Sequence, residues 1–270
     1  MAVDKLVDSA QLDTDLTAVA DAIRTKGGTS ASLAFPTGFV DAIDAIETGG
    51  SGGSSYSDMV NAFAKKEISG DIVLDSSVTG LPHTYFMSQQ PITSFRGDGL
   101  LSMQSYAFYG CTDLESISFP NLNSLYAAQC FFNCSSLTMV CFPKLGTGGT
   151  KYLYSSTFMN CSSLQIADLG VLGETSRGLF AQEFRGCSNL KTLILRKSDG
   201  ICPLGNINCF QSSAFDSTGT GGTLYVPSAL ISSYQSATNW STILGYANNQ
   251  ILPIEGSIYE TQYADGTPIT

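Results

Sequence analysis

The side chains in this chain with most capacity for chemistry are eight cysteines and one histidine, His83. A zinc site draws on closely spaced Cys and His ligands, yet there is no C-x-x-C pair, and a lone histidine cannot complete a mixed set. Four of the thiols, Cys111, Cys134, Cys161 and Cys187, recur at one position of a repeated block, which suits small buried hydrophobes. Cys130, Cys141, Cys202 and Cys209 lie off that position. A Cys202–Cys209 bridge is conceivable but not required, and a reducing cytosol works against it. No metal and no cofactor is expected.

Catalytic constellations fare no better. One histidine leaves no Ser/His/Asp arrangement, and Asp113, Glu115, Asp168, Glu174 and Glu183 lack the mutual spacing of a working carboxylate pair. No catalytic residue is assigned, and the chain is not expected to be an enzyme. The N-x-S matches at Asn133, Asn160 and Asn239 read as turn residues, and the two GTGGT runs, 146–150 and 219–223, read as turns between coils. Neither run follows a strand and opens a helix as a phosphate loop does.

What would position all these residues is a repeat. The block F-x-[GN]-C-[ST]-x-L-x-x-apolar-x-apolar occurs from Phe108, Phe131, Phe158 and Phe184, at intervals of 23, 27 and 26 residues. Within it, the spacing of Leu114, Ile117 and Phe119 describes a short extended segment with one buried side. A single coil of this length cannot cover its own apolar face, so the coils must stack. Phe86, Gln89, Ile92 and Phe95 keep the same offsets, with Gly97 in place of a large apolar residue, as a degenerate first coil.

In "YAFYGCTDLESISFP" and "CFFNCSSLTMVCFP" the pattern resembles the BspA-type leucine-rich repeats, A-F-x-x-C-x-x-L-x-x-I-x-[FIL]-P, over about residues 80 to 245. Two departures stand out: Ala167 with Asp168-Leu169-Gly170 in the third block, and Arg196 where Pro120 and Pro143 stand earlier. They put the local strand length in doubt. "GTLYVPSALISSYQSATNWSTI" is similar to the end unit of such arrays, a last strand at Leu224 to Val226 and then a capping helix. The resemblance implies a mainly β solenoid of short parallel strands with irregular or helical returns, preceded by a small α-helical segment.

That segment, residues 1–48, is expected to carry two amphipathic helices. Leu12, Leu16, Val19 and Ile23 form one stripe, stopped at Gly27-Gly28; Phe39, Ile43 and Ile46 form another. Too short to bury much core alone, the stripes are expected to oligomerise or to meet another protein. "LTAVADAIRTKGGTSASLAFPTGFVDAI" resembles the leader of tail-associated proteins of phages and prophages of gut Gram-positive bacteria, which implies other phage tail proteins as partners. Residues 49–56 read as a Gly/Ser tether. The array spans 57–246, opening with a helix-like cap at 57–67, and 247–270 form an extended strap or tail.

A net charge of −10 and a pI near 4.4 exclude the basic patch that nucleic acid requires. No run of eighteen apolar residues is present, so no membrane insertion is expected. The start "MAVDKLVDSAQLDTDL" lacks a signal peptide, which favours a virion component released from the host cytoplasm over a bacterial cell-surface adhesin of the BspA kind. On the strands, Ser116, Met139, Ile166 and Thr192 form one outward column, and Ser118, Cys141, Asp168, Ile194 and Tyr225 another. These residues are the expected ligand-binding face for a bacterial surface receptor, glycan or protein. The alternative is that neighbouring subunits or the carboxyl-terminal strap cover them. A purely structural virion component is the rival to receptor binding.

Overall fold

The computed structural model describes residues 70–269, apart from 75, 82–85, 87–91, 127, 149–152 and 174–176. The chain divides into two compact units, 1–64 and 65–270, and the described residues belong to the second. The expected helices bearing Leu12, Leu16, Val19, Ile23, Phe39, Ile43 and Ile46, the tether and the helix-like stretch at 57–67 lie outside them.

Each coil contributes one short strand to a parallel ribbon. In order along the array these are β1 (Gly70–Val73), β3 (Ile92–Arg96), β5 (Ser116–Ser118), β7 (Met139–Cys141), β8 (Ile166–Asp168), β9 (Thr192–Ile194), β10 (Thr223–Val226) and β11 (Gln250–Pro253); the ribbon consists of two hydrogen-bonded sheets, β1-β3-β5 and β7-β8-β9-β10-β11, which adjoin between β5 and β7. A second ribbon, β2 (Gly80–Leu81), β4 (Ser102–Gln104) and β6 (Ser124–Tyr126), lines another side of the first coils, and a separate parallel bridge joins Leu179 to Leu204 further along. The fold is therefore a β-solenoid, as the repeat spacing predicts. β8 keeps the three-residue length of its neighbours, so the departures at Ala167 and Asp168 leave the coil intact. β10 is not the last strand: β11 pairs with it in parallel register, Leu224 with Ile251 and Tyr225 with Leu252. The sheet thus runs into residues expected to form the tail.

The repeated phenylalanines build the spine. Phe86, Phe108, Phe131, Phe158, Phe184 and Phe210 are fully buried, and successive rings stack 5.1, 5.4, 5.5, 5.4 and 5.7 Å apart. Their spacing is set by the main chain. Phe108 N–H donates to Cys130 O at 2.8 Å, Phe131 N–H to Thr157 O at 2.9 Å and Phe158 N–H to Glu183 O at 3.0 Å, so each coil is hydrogen-bonded to the next. Phe210 extends the column by a coil whose repeat is disguised, because Ser213 stands at the cysteine position and Phe215 supplies the apolar bulk, 5.1 Å from Phe210.

The thiol column is a set of staples. Cys111 donates to Phe86 O, Cys134 to Phe108 O, Cys161 to Phe131 O and Cys187 to Phe158 O, all at 3.0–3.1 Å. Burial pushes the Cys161 thiol up to about 12, and Cys134 and Cys187 are also raised well above the usual thiol range, so all three stay protonated donors. The preceding residue turns the chain through the left-handed region, φ 60° at Asn133 and 63° at Asn160, which only Gly and Asn reach cheaply. Two of the N-x-S matches are thus turn residues.

The array ends on a cap of two short helices, α1 (Ile231–Ser236) and α2 (Trp240–Leu244). Trp240, buried 5.9 Å from Phe210, donates its indole N–H to Cys202 O at 2.7 Å. Tyr234 accepts from Cys202 N–H at 2.8 Å through its hydroxyl. Cys202 and Cys209 are free thiols, so this end is held by packing and main-chain bonds.

Candidate binding face

The outward side of the long ribbon carries the expected columns. Register pairs Met139 with Ile166, Thr192 and Thr223, and Cys141 with Asp168, Ile194 and Tyr225; in the first coils it pairs Asp71 with Ser94 and Ser116, and Arg96 with Ser118. The two halves of this face differ in exposure and polarity.

Over β1, β3 and β5 the face is open and polar. Ser116 and Ser118 are exposed, as is Val73 at 70%. Ser94 and Thr93 donate their hydroxyls to Asp71 Oδ1 at 2.6 and 3.2 Å, and Arg96 pairs with Asp98 at 2.7 Å. These groups offer hydroxyl donors and acceptors with both signs of charge.

Over β7 to β10 the second column is covered. Cys141 is 8% exposed, and Asp168 and Ile194 are fully buried, so the expectation that these three face solvent is corrected. Met139, Ile166, Thr192 and Tyr225 are half-buried. The cover is the chain's own carboxyl-terminal segment. Past β11 the backbone turns at Gly256, makes a short 3-10 turn at Ile258–Glu260 and then a small hairpin, in which Tyr263 N–H donates to Thr267 O and Ile269 N–H to Thr261 O. Ile254 and Tyr259 pack on Ile194, with Ile166, Tyr225 and Ala264 around them. The Tyr225 and Tyr259 rings meet edge to face at 4.9 Å.

A buried ion pair buckles this strap down. Arg196 grips Asp168 with Nε at 3.0 and 3.1 Å and Nη2 at 2.7 Å; the two side chains are 10% and 0% exposed. The same guanidinium donates to two strap carbonyls, Tyr259 O at 2.7 Å and Gln262 O at 3.1 Å, and lies 4.9 Å from the Tyr263 ring centre. Asp168 accepts the Ala264 N–H at 3.1 Å. Every contact is one that a buried charge needs for satisfaction. Arg196 thus clasps the strap, a role whose one signal in the sequence is its departure from the repeat. Cys141, at the end of β7, lies beneath the Ala264–Asp265 tip of the hairpin, where burial, with the nearby Asp168 charge, pushes its thiol up to about 12.

One further titratable group is out of place. Glu183 is fully buried just ahead of Phe184, where other coils carry Ala107, Cys130, Thr157 and Cys209, and neither carboxylate oxygen has a hydrogen-bond partner in the protein. Desolvation pushes its carboxyl from the ordinary 4.5 up to about 7. A raised carboxyl favours the folded state fully below pH 4.5, and that advantage is lost as pH rises to about 7 and then stays lost. The shift corresponds to about 3 kcal/mol. Urea unfolding of the wild type is therefore expected to weaken between pH 5 and pH 8, and Glu183→Thr to remove most of that slope; an unchanged slope contradicts the assignment. Among the described residues no group of His, Cys, Asp or Glu could hold a metal ion, and no helix is long and apolar enough to cross a membrane.

Comparison with known proteins bears on this geometry. The model of the BspA type leucine rich repeat region matches in six copies, over residues 59–171 and 101–243. No curated protein matches the chain. Among solved structures, the crystal structure of a T. pallidum leucine rich repeat protein is similar, with 19% identity over 65% of this chain and 81% of that one, and a TM-score of 0.41.

Proposed function

The chain belongs to the BspA-type leucine-rich repeat family, and on that premise we propose that it is a non-enzymatic adhesion protein whose strand ribbon binds a bacterial surface receptor. The observation that carries this reading is the open half of the face, where Ser94, Ser116, Ser118, Asp71 and Arg96 stand in register on a rigid scaffold. Stacked coils hold such side chains at fixed spacing, which lowers the ordering cost of binding a long ligand.

The finer reading places the protein on a phage tail. Residues 1–48 attach it there, with the stripes Leu12, Leu16, Val19, Ile23 and Phe39, Ile43, Ile46 joining copies or meeting other tail proteins, and the Gly/Ser tether gives the array reach. The support is the resemblance of the leader. A BspA-like adhesin on the bacterial surface and a purely structural virion component remain the rivals. Native mass measurement of the full chain and of a variant carrying Leu16→Asp and Ile23→Asp tests the attachment: the wild type is expected to be oligomeric and the variant to fall to a smaller species. Equal masses sink the assembly role of this segment.

A further inference from the structure

We propose that the strand face over β8 and β9 is a peptide-binding site, and that the carboxyl-terminal strap is its displaceable occupant in cis. The inference deepens the adhesion reading and rests on it, since it names a ligand class for part of the same face.

The site addresses a main chain rather than particular side chains. Arg196 reads two carbonyls three residues apart, Tyr259 O and Gln262 O, while Asp168 reads the N–H of Ala264. Two aromatic rings complete the fit: Tyr259 against Tyr225, and Tyr263 beside the guanidinium. The ligand is thus a peptide turn of the form Tyr-x-x-x-Tyr, with its backbone groups turned towards a buried ion pair. Within the coil Asp168 accepts the Gly170 N–H at 3.4 Å, a contact that does not involve the Arg196 guanidinium. Equivalent corners elsewhere carry Pro120, Pro143 and Pro227, so Arg196 is spent on the strap.

The occupant is held by the Arg196–Asp168 clasp rather than by buried area. Beyond Ile254 the strap buries only Tyr259; Ile258 remains 64% exposed, and Asp265 to Ile269 are exposed. It is joined to β11 through Glu255 and Gly256, both exposed, and Gly256 has φ +79° with open space around it, a pivot that lets the strap swing away without disturbing the sheet. A groove of about 370 Å³ flanks it, lined by Pro143, Arg196, Pro227, Tyr263 and Ile269, where an incoming peptide can begin to bind. A tethered occupant competes at an effective concentration on the order of millimolar, so the site is closed to weak ligands and open to stronger ones.

The test uses the full chain and a fluorescent synthetic peptide spanning Ser257–Thr270, read by anisotropy without any host cell, so its outcome is separate from that of receptor binding. The full-length variant Tyr259→Ala/Tyr263→Ala, with a weakened strap and an intact site, is expected to bind the peptide saturably and at least tenfold more tightly than the wild type. Adding Arg196→Lys is expected to cut that binding at least tenfold. Equal binding by variant and wild type, no binding, or indifference to Arg196 overturns the proposal. Should the variant not fold, amide exchange on the wild type decides: the Ala264 N–H is expected to exchange at least a hundredfold faster than the Ala167 and Leu193 amides, whereas exchange of all three together, through global unfolding, overturns it.

Discussion

Phe158→Ala is expected to destabilise the protein by about 3–5 kcal/mol, the loss typical of a deleted buried aromatic ring. Phe158 is fully buried between Phe131 and Phe184, at 5.5 and 5.4 Å, and also touches Phe142 at 6.3 Å. Close-packed coils on both sides are bonded through their backbones and cannot collapse into the gap, which places the cost at the upper part of that range. The array adds a second effect. In a solenoid each coil contacts its neighbours, so weakening a central contact uncouples the two ends. Urea unfolding is expected to shift to lower midpoint, and the Trp240 fluorescence transition, which reports on the carboxyl-terminal cap, to separate from the transition followed by far-UV circular dichroism, which reports on the whole array. Phe180→Ala, on a ring that is 44% exposed, is expected to change stability by no more than about 0.5 kcal/mol. Equal effects of the two substitutions contradict the stacked spine.

Arg196→Ala is the second large effect. It removes the partner of a fully buried carboxylate, which in other buried pairs costs about 3–5 kcal/mol, and at this chain length that lowers the Tm by roughly 6–20 °C. Only the main-chain N–H groups of Ala264 and Gly170 still donate to Asp168, and the strap carbonyls Tyr259 O and Gln262 O lose their guanidinium donors. The strap is therefore expected to come free, with faster proteolysis after Tyr259 or Tyr263 and exposure of Ile194. Removing both charges together, as Asp168→Leu with Arg196→Met, is expected to restore part of the thermal stability while leaving the strap loose. Stability and strap cleavage then separate, which a merely local packing defect does not produce. A wild-type Tm in Arg196→Ala contradicts the clasp.

The spine was legible because it is made of identical residues at matching positions. Phe108, Cys111 and Leu114 recur with the same offsets in four blocks, and such repetition at intervals of one coil leaves stacking as the way to bury them. The coil of Phe210 was hidden for the same reason in reverse. Ser213 replaces the cysteine and Phe215 sits one place from the usual leucine position, so pattern matching loses the unit although its backbone bonds persist, with Phe184 N–H donating to Cys209 O at 2.9 Å. The added strand β11 was missed because Pro253 reads as a breaker; at the edge of a sheet its lack of an N–H is no penalty.

For the binding face, the sequence leaves two readings open, an exposed face and one covered by the carboxyl-terminal strap or by neighbouring subunits, and it does not choose between them. Alternation along each strand sets Met139, Ile166 and Thr192 on the side opposite the core, where they are half-buried, and the covering of Cys141, Asp168 and Ile194 depends on residues 60 to 124 positions further along the chain, a relation that no local pattern selects. The trace it leaves is chemical. Asp168 and Arg196 break the repeat on adjacent coils with opposite charges, and two such departures on facing positions point to a pair with a common purpose. Glu183 leaves a similar trace, a charged residue in a column of Ala107, Cys130, Thr157 and Cys209, whose consequence is a pH dependence rather than a contact.

The most direct test of the central claim, that the open part of the strand ribbon recognises a bacterial surface, is a binding isotherm of the labelled full chain on cells and cell-wall fractions of Gram-positive bacteria, set against a variant with Ser116→Lys and Ser118→Lys. Both substitutions lie on exposed positions of β5 and leave the interior untouched. Saturable binding by the wild type that weakens at least tenfold in the variant, with an unchanged Tm, is the predicted result; wild-type binding that never saturates, or that the two lysines leave unaltered, contradicts it.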